Sequence, residues 1–281
     1  MPTYIGNCYE LLKEVRIGLN DYSDDKLNGT VTTGAFQNSS LMRKINDAQR
    51  HIWAVLFARM PHLFLTSTSL TGTSSVYTLP SDFYKLRRFE NSDKVKINPI
   101  SVDEKHIANY DGNKYLYYRK GNTLVIDKDS VTDAHTLWYF KRVRDLDQGK
   151  ATAGAASSIT LAATARKEAD YYNNMVIEDI TADLTSTISD FSNARVATIT
   201  GTAAANDYYG IVSELPEDFH HLIAPLALIM AKQQLKAPER PGSLEMSLFN
   251  DMLAEALRPF VGQFDSDKTT EDTFFDFEPF I

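Results

Sequence analysis

The sequence predicts an α+β fold: an α-helical bundle with an inserted β-rich region and an extended C-terminal tail. Three observations carry that expectation. Apolar residues recur at three- and four-residue spacing between residues 4 and 60 and again between 216 and 260. From Leu63 to Val212 the spacing shortens towards alternation, with Thr, Tyr, Val and Ile gathered in short runs. Beyond residue 264 the periodicity ends, and Phe274, Phe275, Phe277, Phe280 and Ile281 stand among acids.

Each element has its own signal. Residues 4 to 20 read as a first helix, with Leu11, Leu12, Val15 and Leu19 on one face. Asp, Ser, Asn, Gly and Thr fill 21 to 38, so that stretch reads as a loop. Ser39 or Ser40 is the expected cap of a second helix, whose stripe is Leu41, Ile45, Ala48, Ile52, Val55 and Leu56 and which Pro61 ends. Arg43, Lys44, Arg50 and Arg59 fall mostly outside that stripe and face solvent or a partner. LFLTSTSLTGTSSVYTLP then reads as a hairpin turning near Thr71-Gly72. KYLYYRKGNTLVID reads as a second hairpin, turning at Lys120-Gly121-Asn122, and HTLWYFKRV as a further strand.

DQGKATAGAASS, 147 to 158, reads as a small-residue bridge at a boundary. The short pieces SITLAA, NMVIEDI, TSTISDF and RVATITG after it suit a small β-unit set into a helical frame. EDFHHLIAPLALIMAKQQL is apolar around most of its circumference, which suits a central helix kinked at Pro225. KAPERPG breaks it, and a last helix runs from about Ser243 to Phe260. The expected organisation is 1–62 N-terminal helices, 63–146 β-hairpin region, 147–212 inserted β-unit, 213–264 C-terminal helices and 265–281 acidic, aromatic tail. At 281 residues this amounts to two domains, or one with a large insertion. One pattern, Leu-Pro-x-Asp-Phe, occurs at Leu79–Phe83 and at Leu215–Phe219, and reads as two similar strand-to-helix corners, with gene duplication or a shared binding role as the alternative.

Composition excludes several classes of function. The formal charge of −8 opposes general affinity for nucleic acid, which needs clustered cations. The single cysteine, Cys8, forms no internal disulfide, and the N-terminus lacks the pattern of a secretion signal. The longest strongly apolar run, Leu222 to Ala231, is ten residues, too short to cross a bilayer. Chemistry finds no anchor either. The histidines His51, His62, His106, His135, His220 and His221 form no HxxxH or HExxH pattern, and the one adjacent pair, His220-His221, points in two directions. Asp21, Asp24 and Asp25 begin a calcium-loop pattern that fails at Thr32, leaving a solvated loop. No phosphate-cradling loop or nucleophile elbow occurs. Cys8 reads as packing, and Glu178-Asp179 and Glu217-Asp218 as solvated or helix-start acids. YLYY, LWYF and the two DYY sites suit strand packing, sugar stacking or a tyrosine-rich protein face. The expectation is no catalytic residue, no cofactor and no metal.

Several stretches together resemble the head-to-tail connector (adaptor) proteins of tailed bacteriophages. They are INDAQRHIWAVLFARMPHLF, SLTGTSSVYTLPSDFYKLRRF, ADYYNNMVIEDI with TISDFSNARVATIT, and SELPEDFHHLIAPLALIMAKQQL. One departure stands out: IEDITADLTSTISDF carries no glycine where related sequences have them. The resemblance implies a structural virion component, assembled in the host cytoplasm and placed in the neck between capsid and tail. It implies a ring of about twelve copies that binds the portal, extends the DNA channel and docks a tail or nozzle protein, while double-stranded DNA passes without specific binding. An acidic chain suits such a channel, because repulsion keeps phosphate from sticking. Another tail-proximal role (nozzle or tail-tube part), or a carbohydrate-binding or carbohydrate-cleaving module, are the alternatives. The tail's rings, set among acids, read as a short docking motif with Phe274, Phe275, Phe277, Phe280 and Ile281 as anchors.

Overall fold

Among the described residues, helices lie towards the two ends of the sequence and four small sheets in its middle. The computed structural model describes residues 6–29, 36–70, 75–101, 116–126, 134–235 and 243–261. The chain divides into two units: Met1–Gly6, Glu10–Ala48 and Pro216–Ile281 form one, Asn7–Tyr9 and Gln49–Leu215 the other.

The first unit is helical. Among the described residues α1 spans Cys8–Gly18, shorter than expected, and Asn20 ends it by taking a left-handed φ of 53°. The expected loop after it contains a helical turn, α2 (Asp24–Leu27), because the Ser23 hydroxyl accepts from the Lys26 amide. Nor is Asp21 solvated in the way the sequence implies, since it pairs with Arg16 at 2.8 Å and with Lys26. Arg16 is almost wholly buried, and its guanidinium also donates to Asn38 and to the Phe36 carbonyl. Asn38 in turn donates to the carbonyls of Lys26 and Leu27. This network sets where α3 (Asn38–Arg59) begins. Ser39 and Ser40 therefore sit inside its first turn rather than capping it, and Gln37 supplies the first carbonyl.

A 3₁₀ helix, Glu217–Leu222, leads into α4 (Ile223–Leu235). Pro225 consequently stands in the first turn of α4, where no intrahelical donor is lost. The expected kink is replaced by a change from 3₁₀ to α two residues earlier. α5 (Ser243–Val261) matches the last predicted helix, and Phe260 packs on Phe219 with ring centres 5.6 Å apart. The break KAPERPG falls outside the described residues.

In the second unit, β1 (Leu65–Leu70), β3 (Phe83–Glu90) and β7 (His135–Lys141) form a sheet in the order β1-β7-β3. A second sheet orders β2 (Val76–Thr78), β6 (Thr123–Ile126), β5 (Leu116–Lys120) and β4 (Asn98–Pro99). Tyr77, Leu79, Phe83, Phe89, Leu124, Leu137 and Tyr139 form their shared core. The Lys120-Gly121-Asn122 hairpin is present, with Lys120 opposite Thr123 and Gly121 at a φ of 57°. The other expected hairpin does not form: β1 pairs with β7 and β2 with β6. β7 offers β1 six paired positions and a core face of His135, Leu137 and Tyr139. The expected turn at Thr71-Gly72 lies outside the described residues.

β3 explains a second correction. The first Leu-Pro-x-Asp-Phe corner leads into this strand, not into a helix. Phe83, Leu86 and Phe89 recur every third residue, a helical spacing. β3 accommodates it with two bulges, at Phe83/Lys85 and Leu86/Arg88, so that one inward residue alternates with two outward ones.

The presumed bridge at 147–158 is itself β8 (Gln148–Lys150) and β9 (Ala153–Ala155). β8 is the edge of a sheet β12-β11-β15-β8, and β9 the edge of β13-β14-β10-β9. The partners are β10 (Ser158–Thr160), β11 (Val176–Asp179), β12 (Leu184–Thr187), β13 (Asp190–Phe191), β14 (Val196–Thr198) and β15 (Tyr208–Ile211). Its small residues answer to close packing: a Cβ on Gly154 would lie 2.4 Å from the Ala203 carbonyl oxygen. The glycine-poor stretch turns without glycine because Asp183 takes a φ of 51°, as Asp170, Asn174 and Asn206 do elsewhere in the insert.

Candidate interaction face

The β1-β7-β3 sheet has one core face and one outer face. Alternation along β7 sends Leu137 and Tyr139 inward and Trp138 outward. The bulges of β3 place Tyr84 with Lys85, and Arg87 with Arg88, on that outer side as adjacent pairs, where a regular strand would send one of each pair inward. Arg88 stands opposite Trp138, and Ser67 of β1 flanks it on the other side. Glu90 holds this arrangement, pairing with Arg88 and accepting from the Trp138 indole at 3.2 Å. At one end Tyr84 packs edge-on against Trp53 (4.9 Å) and Phe57 (5.1 Å) of α3, and Phe57 covers Phe140. Tyr84 nevertheless remains 47% exposed, Leu65 40% and Trp138 37%. The face is cationic and aromatic within an acidic chain.

Behind it lies a buried polar centre. Arg144 makes a two-pronged pair with Glu214, at 3.0 and 2.8 Å, and donates to the carbonyls of Tyr171 and Asn173 at 2.8 Å each. Gln49 of α3 donates to the Arg144 carbonyl and accepts from the Ser213 hydroxyl. Burial pushes the Glu214 carboxyl up, but Arg144, helped by Lys141, outweighs it and holds the group below the ordinary carboxylate range. Asp82 goes the other way. Burial raises it, and the hydrogen bond from the Tyr139 hydroxyl (2.8 Å) and the charge of Arg144 only partly offset that. A cleft of about 430 Å³ opens over these groups, walled by Thr66, Ser81, Lys141 and Asn173. Its charged groups are already engaged with one another, so it reads as a structural joint between the hairpin region and the insert.

Of the sequence-predicted residues, Phe274, Phe275, Phe277, Phe280 and Ile281 lie outside the described residues. Cys8 is buried, and burial followed by the charge of Asp147 raises its thiol far from reactivity. Glu178 and Asp179 are not solvated: both are buried in β11, where Glu178 accepts from Asn7, and the Asp179 carboxylate accepts from the amides of Thr181 and Ala182. Burial and the neighbouring Asp207 raise Asp179. Glu217 and Asp218 are exposed at the start of a 3₁₀ helix, in keeping with helix-start acids. His220 is buried and His221 exposed, so they do not converge. Among the described residues no group of three His, Cys, Asp or Glu side chains is placed to hold a metal, and no helix is long and apolar enough to cross a membrane.

Residues 7–271 match the family model described as SU10 adaptor protein. The chain belongs to the SU10 adaptor family. No curated protein matches it. The family bears out the resemblance to phage head-to-tail adaptors, and with it a structural role in a virion among other head and tail proteins. Sequence reasoning did not find the adaptor's two best-built features. Arg144 and Glu214 are 70 residues apart and meet only through the fold. Lys85, Arg87 and Arg88 were visible as a basic run, but only the bulges of β3 put them on one side. Tyr139 and Tyr209, in β7 and β15, and Tyr172, in a turn, are buried and serve packing, whereas Trp138 and Tyr84 keep exposed rings.

Proposed function

We propose that this adaptor forms a ring below the portal of a tailed phage, extending the DNA channel and docking the next tail or nozzle protein. The observation that carries the reading is the family match across nearly the whole chain. A net charge of −8 supports it, since a channel wall must let phosphate slide. The ring holds about twelve copies, as the resemblance to phage head-to-tail adaptors implies. The neck between capsid and tail is its place, and Phe274, Phe275, Phe277, Phe280 and Ile281 are its docking anchors on a neighbouring copy or on the portal. Each buried ring contributes on the order of 1.5–3 kcal/mol before ordering costs.

Mixing the full chain with the portal protein of the same phage tests the reading, with mass by light scattering and shape by electron microscopy. A closed ring on the portal is expected. A chain that stays monomeric beside an intact portal overturns the proposal.

A further inference from the structure

The outer face of the β1-β7-β3 sheet asks for an occupant that is both acidic and aromatic. Lys85, Arg87 and Arg88 give it positive charge, and exposed Lys94 and Lys96 come directly after, against Glu90 and Asp93. The backbone carbonyl of Lys94 accepts from Arg88 at 3.0 Å, so this second group of cations joins the first. Tyr84 and Trp138 bracket the cations with accessible rings. Such a face is unusual in a chain of charge −8.

One segment of the same chain has the complementary composition. Residues 265–281 contain six carboxylates and one lysine, with four phenylalanines at 274, 275, 277 and 280. Side chains alternate in an extended chain, so Phe274, Asp276, Glu278 and Phe280 share one side: two acids bracketed by two rings. Pro279 favours that extended form. The sheet presents the matching order, cations bracketed by rings. DNA is the other polyanion available, but its phosphates have no use for an exposed Trp and Tyr on a flat sheet whose cations are partly tied to Glu90.

We propose that the acidic, aromatic tail of one copy docks on the outer face of the β1-β7-β3 sheet of a second copy. Asp276 and Glu278 meet Lys85, Arg87 and Arg88, and Phe274 and Phe280 pack beside Tyr84 and Trp138. The second copy as host rests on the ring reading above, in which identical chains stand side by side.

Site-specific photo-crosslinking of the full chain tests this. Ser67, exposed beside Trp138, is replaced by a benzophenone amino acid, and equal amounts of isotope-labelled and unlabelled chain are mixed, alone and with portal protein, with double-stranded DNA added to a portion of each. The expected result is crosslinks from position 67 to residues 265–281 in mixed-isotope pairs. The double variant Arg87→Glu/Arg88→Glu should reduce them roughly tenfold, as two partly exposed ion pairs would. Adding Asp276→Arg/Glu278→Arg to that variant should restore them, which a folding defect would not allow. Crosslinks only within one chain, only to portal, or only to added DNA overturn the proposal, as does their absence in both mixtures. A ring on the portal without tail crosslinks sinks this inference alone. Crosslinked pairs without any portal complex sink the ring reading alone.

Discussion

The pattern Leu-Pro-x-Asp-Phe occurs twice, and its two copies lead to different structures. At Leu79–Phe83 and Leu215–Phe219 the local geometry is the same: the phenylalanine amide bonds back to the proline carbonyl, at 3.0 and 2.9 Å. Leucine and phenylalanine are buried in both. The elements begun by the two corners differ. After Phe83 the chain pairs with β7 as a bulged strand, while after Phe219 it continues as 3₁₀ and then α-helix. The acids differ as well. Asp82 is held by the Tyr139 hydroxyl in a polar centre, whereas Asp218 is exposed in the first turn of the 3₁₀ helix. The motif encodes a turn; the partner available next to it decides what the turn begins.

The largest effect is expected where both corners depend on one side chain. Arg144 pairs with Glu214, the residue before the second motif, and its charge acts on Asp82 of the first. Arg144→Ala leaves a buried carboxylate without its partner and should cost about 3–5 kcal/mol in chemical denaturation. A loss below about 1 kcal/mol would show that water or Lys141 can replace it.

Next come the two phenylalanines. Phe219 is fully buried among helices, so Phe219→Ala should cost about 3–5 kcal/mol. Phe83 is 8% exposed and has Arg119 over its ring at 5.3 Å, so Phe83→Ala should fall at or below the low end of that range. Equal losses would mean the strand corner is as rigid as the helical one.

The acids should differ least in size and most in pH dependence. Burial raises the pKa of Asp82 in the folded chain. Its contribution is therefore fully present below the unfolded carboxylate pKa and lost as pH rises through the folded value. Asp82→Asn should remove that loss, so its stability relative to wild type improves from acid towards neutral pH. Asp218→Asn should change stability by no more than about 0.5 kcal/mol, from a weakened helix-start charge. Denaturation midpoints of the three proteins across about pH 4 to 7 check both; parallel curves for Asp82→Asn and wild type would contradict the first.

Legibility in the sequence tracks how local each feature is. Residues Leu41, Ile45, Ala48, Ile52 and Leu56 announced α3, because a helix displays its burial at fixed local spacing. The Gly121 hairpin was legible for the same reason, its turn and both strands being contiguous. The expected β1–β2 hairpin fails because strand pairing is not local: β1 finds β7 65 to 75 residues away, where Leu70 faces His135 and Leu65 faces Phe140. The bridge at 147–158 looked featureless because its small residues answer to Ala203 and Ala162, far from it or across a turn in the chain.

By itself, the sequence determined the α+β composition, the helical stripes, the turn chemistry of both Leu-Pro-x-Asp-Phe corners and the acidic, aromatic tail. Each is a property of residues within a few positions of one another, where propensity and period act directly. Only the tertiary structure decided which strands pair, that Arg144 meets Glu214, that Glu178 and Asp179 are buried, and that Lys85, Arg87 and Arg88 share one face. Those outcomes depend on matching apolar surfaces and buried charges across long separations, and burial outweighs local preference wherever the two disagree.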